Sequence, residues 1–149
     1  MLMTTATTLL LITKDPSHPL AHLAQRYARA WLIYHSNHNQ GQNNQHDTVE
    51  MDQPVLALFF YADAAHVANR LRWQSAEQVN LTEKWQTLAT EYNLTLPVCV
   101  STALSRGISD TDNSVRHQLD SENLAKGFTL VGLSELAMLM QDNCRLIQF

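Results

Sequence analysis

The stretch Leu94 to Gly107, LTLPVCVSTALSRG, holds Cys99, one of two cysteines in the chain, where strand-like sequence gives way to helix-like sequence. A thiolate is a strong nucleophile toward sulfur near neutral pH, provided its surroundings favour the anion. Thr95 to Val100 is short, apolar and β-branched, and Ser101 to Arg106 reads as a helical turn stopped by Gly107, a residue suited to the left-handed C-terminal position. Cys99 is therefore expected at the carboxyl end of a strand. In an open α/β sheet that edge is where ligands and chemistry gather, and amides near Ser101 to Ala103 would favour a thiolate there.

Each candidate has a plainer alternative. Free cysteine is among the most buried residue types, so packing competes with reactivity at Cys99. Cys144 lies next to a terminal strand with no helix start behind it and is expected to be structural. Ser101 can donate to a thiolate or simply cap a helix. Tyr61, at another strand's carboxyl end, can line the same edge or pack. Arg106 sits about two helical turns beyond Cys99 and can equally be a solvated charge.

The elements that must position these residues alternate along the chain. Apolar runs at Leu9 to Thr13, Pro54 to Tyr61, Thr95 to Val100, Phe128 to Val131 and Arg145 to Phe149 read as five strands. Each is largely apolar, as parallel strands buried on both faces are. Between the first two, Ser17 is a candidate cap, and Leu20, Leu23, Tyr27, Ala30 or Trp31, and Tyr34 form a helical stripe. Asp63 is a candidate cap for the next helix. Asn80 and Glu83 have capping-box spacing ahead of a stripe of Leu81, Trp85, Leu88 and Tyr92. A weak helix with Val115 and Leu119 on one face follows Ile108 to Asn113. Gly132 opens a last helix whose buried side is read as Leu133, Leu136, Ala137 and Met140. This alternation predicts an α/β fold, a three-layer α/β/α sandwich around a mainly parallel sheet of about five strands.

At 149 residues, 45% hydrophobic and 16% charged, the chain has the length and balance of one globular domain, residues 1–149. Residues 35–53, HSNHNQGQNNQHDTVEMDQ, read as a polar, flexible insertion. His35, His38 and His46 fall on that segment without firm support, so no metal site is expected. The net charge of −4, with scattered basic residues, argues against direct nucleic-acid binding. The N-terminus lacks the pattern of a signal peptide, and two distant cysteines suit a reducing compartment, so a cytoplasmic location is expected.

The order FFY (Phe59 to Tyr61), HVANRL (His66 to Leu71), LPVCVSTALSRGI (Leu96 to Ile108), NLAKGFTLVGLSELA (Asn123 to Ala137) and CRLIQF (Cys144 to Phe149) resembles the sulfur-relay family of TusD and DsrE. Within that family it is most similar to the TusD-type subunit, which passes sulfur toward 2-thiouridine in tRNA. The resemblance implies a DsrE-like fold and a sulfurtransferase in which Cys99 carries sulfur as a transient persulfide, with Tyr61, Ser101, Thr102 and Arg106 in support. It implies a hetero-oligomer with sister subunits resembling TusB and TusC, a donor resembling TusA and an acceptor resembling TusE. No cofactor, metal or membrane is implied. Lys14 to Pro19 lacks the glycine-containing loop common in the family, and Asp63 to Ala65 replaces a glycine-bearing turn. Three other readings stay open: a DsrE-type carrier in dissimilatory sulfur oxidation, a non-catalytic subunit with an inert thiol, and a flavodoxin-like domain, which the missing phosphate cradle at Lys14 to Pro19 disfavours. For a working thiol, Cys99→Ser is expected to abolish sulfur acceptance with little loss of stability.

Overall fold

The computed structural model describes residues 6–40, 53–141 and 143–149. The elements follow in the order β1 (Thr7–Ile12), α1 (Pro19–Gln40), β2 (Val55–Phe60), a 3-10 helix (Ala62–Ala68), α2 (Leu81–Tyr92), β3 (Leu96–Cys99), α3 (Val100–Leu104), α4 (Thr111–Arg116), β4 (Phe128–Val131), α5 (Leu133–Leu139) and β5 (Cys144–Gln148). The strands form one sheet in the order β4-β3-β2-β1-β5, and every pairing between them is parallel. The five apolar runs thus become the five expected strands, within a residue or two at each end.

The strand order dictates the layers. From β1 to β4 the chain steps one strand at a time in one direction, and right-handed crossovers put all of those connections on the same face. The last connection returns across the sheet to place β5 beside β1. Reversing direction with the same handedness sends α5 to the opposite face, where it is the one helix among the described residues. The sandwich is therefore lopsided.

On the first face, Leu10, Ile12, Leu58, Phe60, Leu96 and Val98 meet α1 and α2 in a large core that includes Trp85 and Leu88. Phe60 packs edge-on against both Trp85 and Phe128, with ring centroids 5.3 and 5.6 Å away. The buried hydroxyl of Thr82 donates to the Val67 carbonyl at 2.6 Å, tying α2 to the 3-10 helix. On the second face a smaller cluster of Leu9, Phe59 and Cys99 is flanked by Leu11, Ala57, Tyr61, Val131 and Cys144, with Leu136 and Leu139 of α5.

Helix α1 keeps only part of the expected stripe inward: Tyr27 and Trp31 pack partly buried against the core, but the fully buried side is made of other residues. Ala21, Ala24, Ala28 and Leu32 are buried, whereas Leu20, Leu23 and Tyr34 are exposed. Small side chains let the helix axis approach the sheet closely, and the bulky neighbours are left at the flanks. Ser17 does not cap it: His18 Nδ1 accepts the Leu20 amide at 3.1 Å, and Asp15 accepts both the amide and the hydroxyl of Ser17. The helix also runs to Gln40, so residues 35–40 are helical and not part of a loop. Residues 41–52 of the expected insertion lie outside the described residues.

Asp110 caps α4 through its carboxylate, but Val115 and Leu119 point outward and Ser114 is the buried residue. In α5 none of the expected inward residues is fully buried, and Leu133 and Met140 are about half exposed. Asn80 caps α2 by accepting the Glu83 amide, as the spacing predicts. Among the described residues no helix is long and apolar enough to cross a membrane.

Candidate functional site

Cys99 is the last residue of β3 and the backbone cap of α3, so the strand-to-helix junction lies where the sequence places it. Its carbonyl accepts a hydrogen bond from Thr102 Oγ1 at 3.2 Å, and Gly107 takes the left-handed conformation (φ 73°) just past the turn. The register pairs Cys99 with Val131, and Val98 with Phe60, which brings Tyr61 to the same level one strand away. The carboxyl edge thus gathers Tyr61 and Cys99 into one cluster, Tyr61 half-buried and Cys99 fully buried.

Cys99 makes no side-chain capping bond to α3. Strand alternation turns its side chain toward Leu9 and Phe59, on the face that α5 covers, and the residue is only 1% exposed. The expectation of an accessible thiol is therefore corrected for the chain on its own. Alternation along β3 outweighs the proximity of the helix start. Ser101 is exposed on the outer side of the turn, and Thr102 serves the backbone of Cys99 instead of its sulfur.

Arg106 is not a free surface charge. Its Nη2 and Nε donate to Asp63 Oδ1 at 2.8 and 3.1 Å, and its Nη1 donates to the Thr102 carbonyl at 3.1 Å and Ser105 Oγ at 3.2 Å. This links α3 to the 3-10 helix after β2. Asp63, read from sequence as a cap, is the carboxylate end of that link, and Tyr61 occupies the capping position without a side-chain bond. Between them Ala62 holds φ 53°, a left-handed backbone costly for a residue with a Cβ. The Asp63–Arg106 link braces the two turns that flank Cys99. Sequence reasoning missed it because 43 residues separate the partners; the missing glycine after FFY was the available signal that this turn is unusual.

The second cysteine opens β5 and is half-buried on the same face. From the register it lies three strands across and about six residues along from Cys99, a separation on the order of 25 Å. That is far beyond the reach of a disulfide or of direct exchange within one chain.

Among the described residues no group of three or more His, Cys, Asp or Glu side chains could hold a metal ion. His35 instead lies against Trp31, with ring centroids 3.9 Å apart, and the His38 ring nitrogen bonds the Tyr34 carbonyl at 2.8 Å. His46 lies outside the described residues. Asp15 follows β1 near the same edge. Partial burial pushes its pKa up, but the hydrogen bonds from Ser17 and the charges of His66 and Arg72 outweigh this, and the carboxyl is held below its usual range.

Comparison with known proteins matches residues 8–149 to the DsrE/DsrF-like family. The chain is 37% identical over 101 residues to a protein of Vibrio parahaemolyticus named Sulfurtransferase TusD homolog, covering 68% of this chain and 77% of the relative. It is 33% identical over 129 residues to Sulfurtransferase TusD of Erwinia tasmaniensis, covering 87% of this chain and 92% of the relative. Among solved structures, the crystal structure of the ychN protein from E. coli superposes with a TM-score of 0.62 at 16% identity, over 98% of this chain and 100% of that one, a likeness of fold.

Proposed function

The chain belongs to the DsrE/DsrF-like family and is closely related to TusD homologs, and from that premise we propose that it is a sulfur carrier with Cys99 as the carrying residue. The observation that carries this reading is the 33% identity to a named TusD sulfurtransferase over 87% of the chain. The position of Cys99 at the carboxyl end of a central parallel strand supports it.

The chemistry is a displacement at sulfur. The Cys99 thiolate attacks the outer sulfur of a donor persulfide, the donor's S–S bond breaks, and the donor's own sulfur leaves as a thiolate. Cys99 then holds the transferred sulfur as a persulfide. An acceptor thiolate later attacks that outer sulfur and releases Cys99 as a thiolate. Each step exchanges one S–S bond for another, with no net oxidation or reduction and no cofactor.

In the finer form of the proposal, the relay leads to 2-thiouridine in tRNA in the cytoplasm, with a donor resembling TusA and an acceptor resembling TusE. Sister subunits resembling TusB and TusC complete a hetero-oligomer. The apolar surface around α5 suits that role: Leu133 and Met138 are exposed on the helix, Met140 just past its end and Leu146 on β5.

The burial of Cys99 favours one rival, a non-catalytic subunit whose thiol is inert packing. Incubation with a low-molecular-weight persulfide followed by mass spectrometry separates the two. The carrier gains one sulfur, mapped to Cys99. Cys99→Ala abolishes the gain, and Cys144→Ser leaves it intact. No gain on Cys99, alone or with copurified sister subunits, would sink the carrier reading.

A further inference from the structure

Cys99 is 1% exposed, and a thiol so enclosed cannot be attacked or attack in place, so exchange there requires something to move. The walls of its cluster are not equally firm. On the carboxyl-edge side, α3 is braced to the 3-10 helix by the Arg106–Asp63 link and to itself by the bond from Arg106 to the Thr102 carbonyl. Beneath it are the sheet strands, with Leu9 and Phe59 fully buried. Above it is α5, whose inward contributions to the cluster are Leu136 and Leu139.

Helix α5 is the least anchored of these. It spans seven residues, none of them fully buried, and Gly132 offers no capping side chain at its start. Both inward leucines are partly exposed, and Met138 on its outer side is 68% exposed. Few apolar contacts and a short, weakly capped helix are the physical marks of a segment that opens well below the global unfolding free energy.

From this contrast we infer that α5 is a lid over Cys99: local displacement of α5 uncovers the sulfur while the braced α3 turn keeps it in position. The biological need for the opening rests on the sulfur exchange proposed above, but the covering and uncovering of the thiol do not.

The test uses the full chain carrying Cys144→Ser, so that Cys99 is the single thiol, and a small aromatic disulfide as the probe. Modification of Cys99 is expected to be about 100-fold or more slower than in the urea-unfolded chain, yet faster than global unfolding followed by tryptophan fluorescence. Leu136→Ala is expected to speed modification about tenfold by loosening the lid, while Arg106→Ala changes it by less. Hydrogen exchange on the Cys144→Ser chain gives a second measurement if Leu136→Ala does not fold. The α5 amides are then expected to exchange through an opening of the same free energy as that for thiol modification.

Three results would each overturn the lid: modification at the rate of the unfolded chain, modification only at the rate of global unfolding, or α5 amides that stay protected while the thiol reacts. An unchanged rate in a folded Leu136→Ala chain would likewise assign the opening to another element. Since no sulfur donor takes part, failure here leaves the carrier proposal to be decided by persulfide loading.

Discussion

The two faces of this sheet are made from the same five strands, yet they are built differently. On one, α1 and α2 cover Leu10, Leu58, Phe60 and Val98, and Trp85, Leu88 and Ala24 reach almost no solvent. On the other, one short helix covers Leu9, Phe59 and Cys99, and the cluster's margins at Leu11, Ala57 and Tyr61 are partly open. The strand order causes the difference, since three crossovers fall on one side and one on the other. The thick face can supply most of the folding free energy, which frees the thin face to be loosely covered where the thiol lies. Burial of a cysteine is thus compatible with reactivity when the covering element is the weak one.

The sharpest test of this division removes a large side chain from each face. Trp85→Ala on the thick face is expected to cost about 3–5 kcal/mol in denaturant unfolding, from lost burial and the cavity left behind. Leu139→Ala on the thin face is expected to cost about 1 kcal/mol, because the side chain is already partly wet and its helix can settle. Equal losses would mean that α5 is as integral as α2, and the comparison would break.

The next effect is at Cys99 itself. The sequence alone suggests that Cys99→Ser leaves stability nearly untouched, as it would for an exposed thiol. With the side chain enclosed by Leu9 and Phe59, a hydroxyl there lacks an apparent partner, and Cys99→Ser is expected to cost about 1–3 kcal/mol. Cys99→Ala trades that penalty for a small void and is the cleaner probe of sulfur uptake. Cys144→Ser, at a half-buried strand end, is expected to cost less than about 1 kcal/mol. Urea unfolding of the three variants checks the order; a Cys99→Ser chain as stable as the parent would place the sulfur in water.

Why some of this was legible in sequence, and some not, comes down to locality. VLALFF and the LLLI of the first strand announce buried parallel strands because a strand covered on both faces is apolar on both. The junction at Cys99 was legible for a similar reason, with a β-branched run ending in a turn closed by Gly107. Which way the sulfur points depends on pairing register and on the helix across the sheet, neither of which is local. The inward side of α1 was read only in part: Tyr27 and Trp31 do pack on the core, but size was weighted over fit at Leu20 and Leu23, where Ala21, Ala24 and Ala28 allow the closer approach. The Arg106–Asp63 link joins distant turns, and no periodicity encodes it or the left-handed backbone at Ala62.

The smallest predicted effect asks whether the thick side depends on charge at all. Asp15, in the loop between β1 and α1, is pushed up by partial burial, but the bonds from Ser17 and the charges of His66 and Arg72 outweigh this and hold its pKa below the usual carboxylate range. A depressed carboxyl stabilises the fold above its unfolded pKa, and that contribution is lost as pH falls through the folded value. Asp15→Asn keeps an acceptor oxygen for Ser17 and removes the charge, so the variant is expected to be less stable by about 0.5 kcal/mol or less at neutral pH, given solvent screening. The gap should stay constant down to about pH 5, shrink below about pH 4 and close under the folded pKa. Thermal unfolding of both chains across that range measures it. A gap that widened in acid would reverse the sign of the Asp15 contribution, and a gap of several kcal/mol would show that the thick face owes to this loop what is assigned here to hydrocarbon around Phe60 and Trp85.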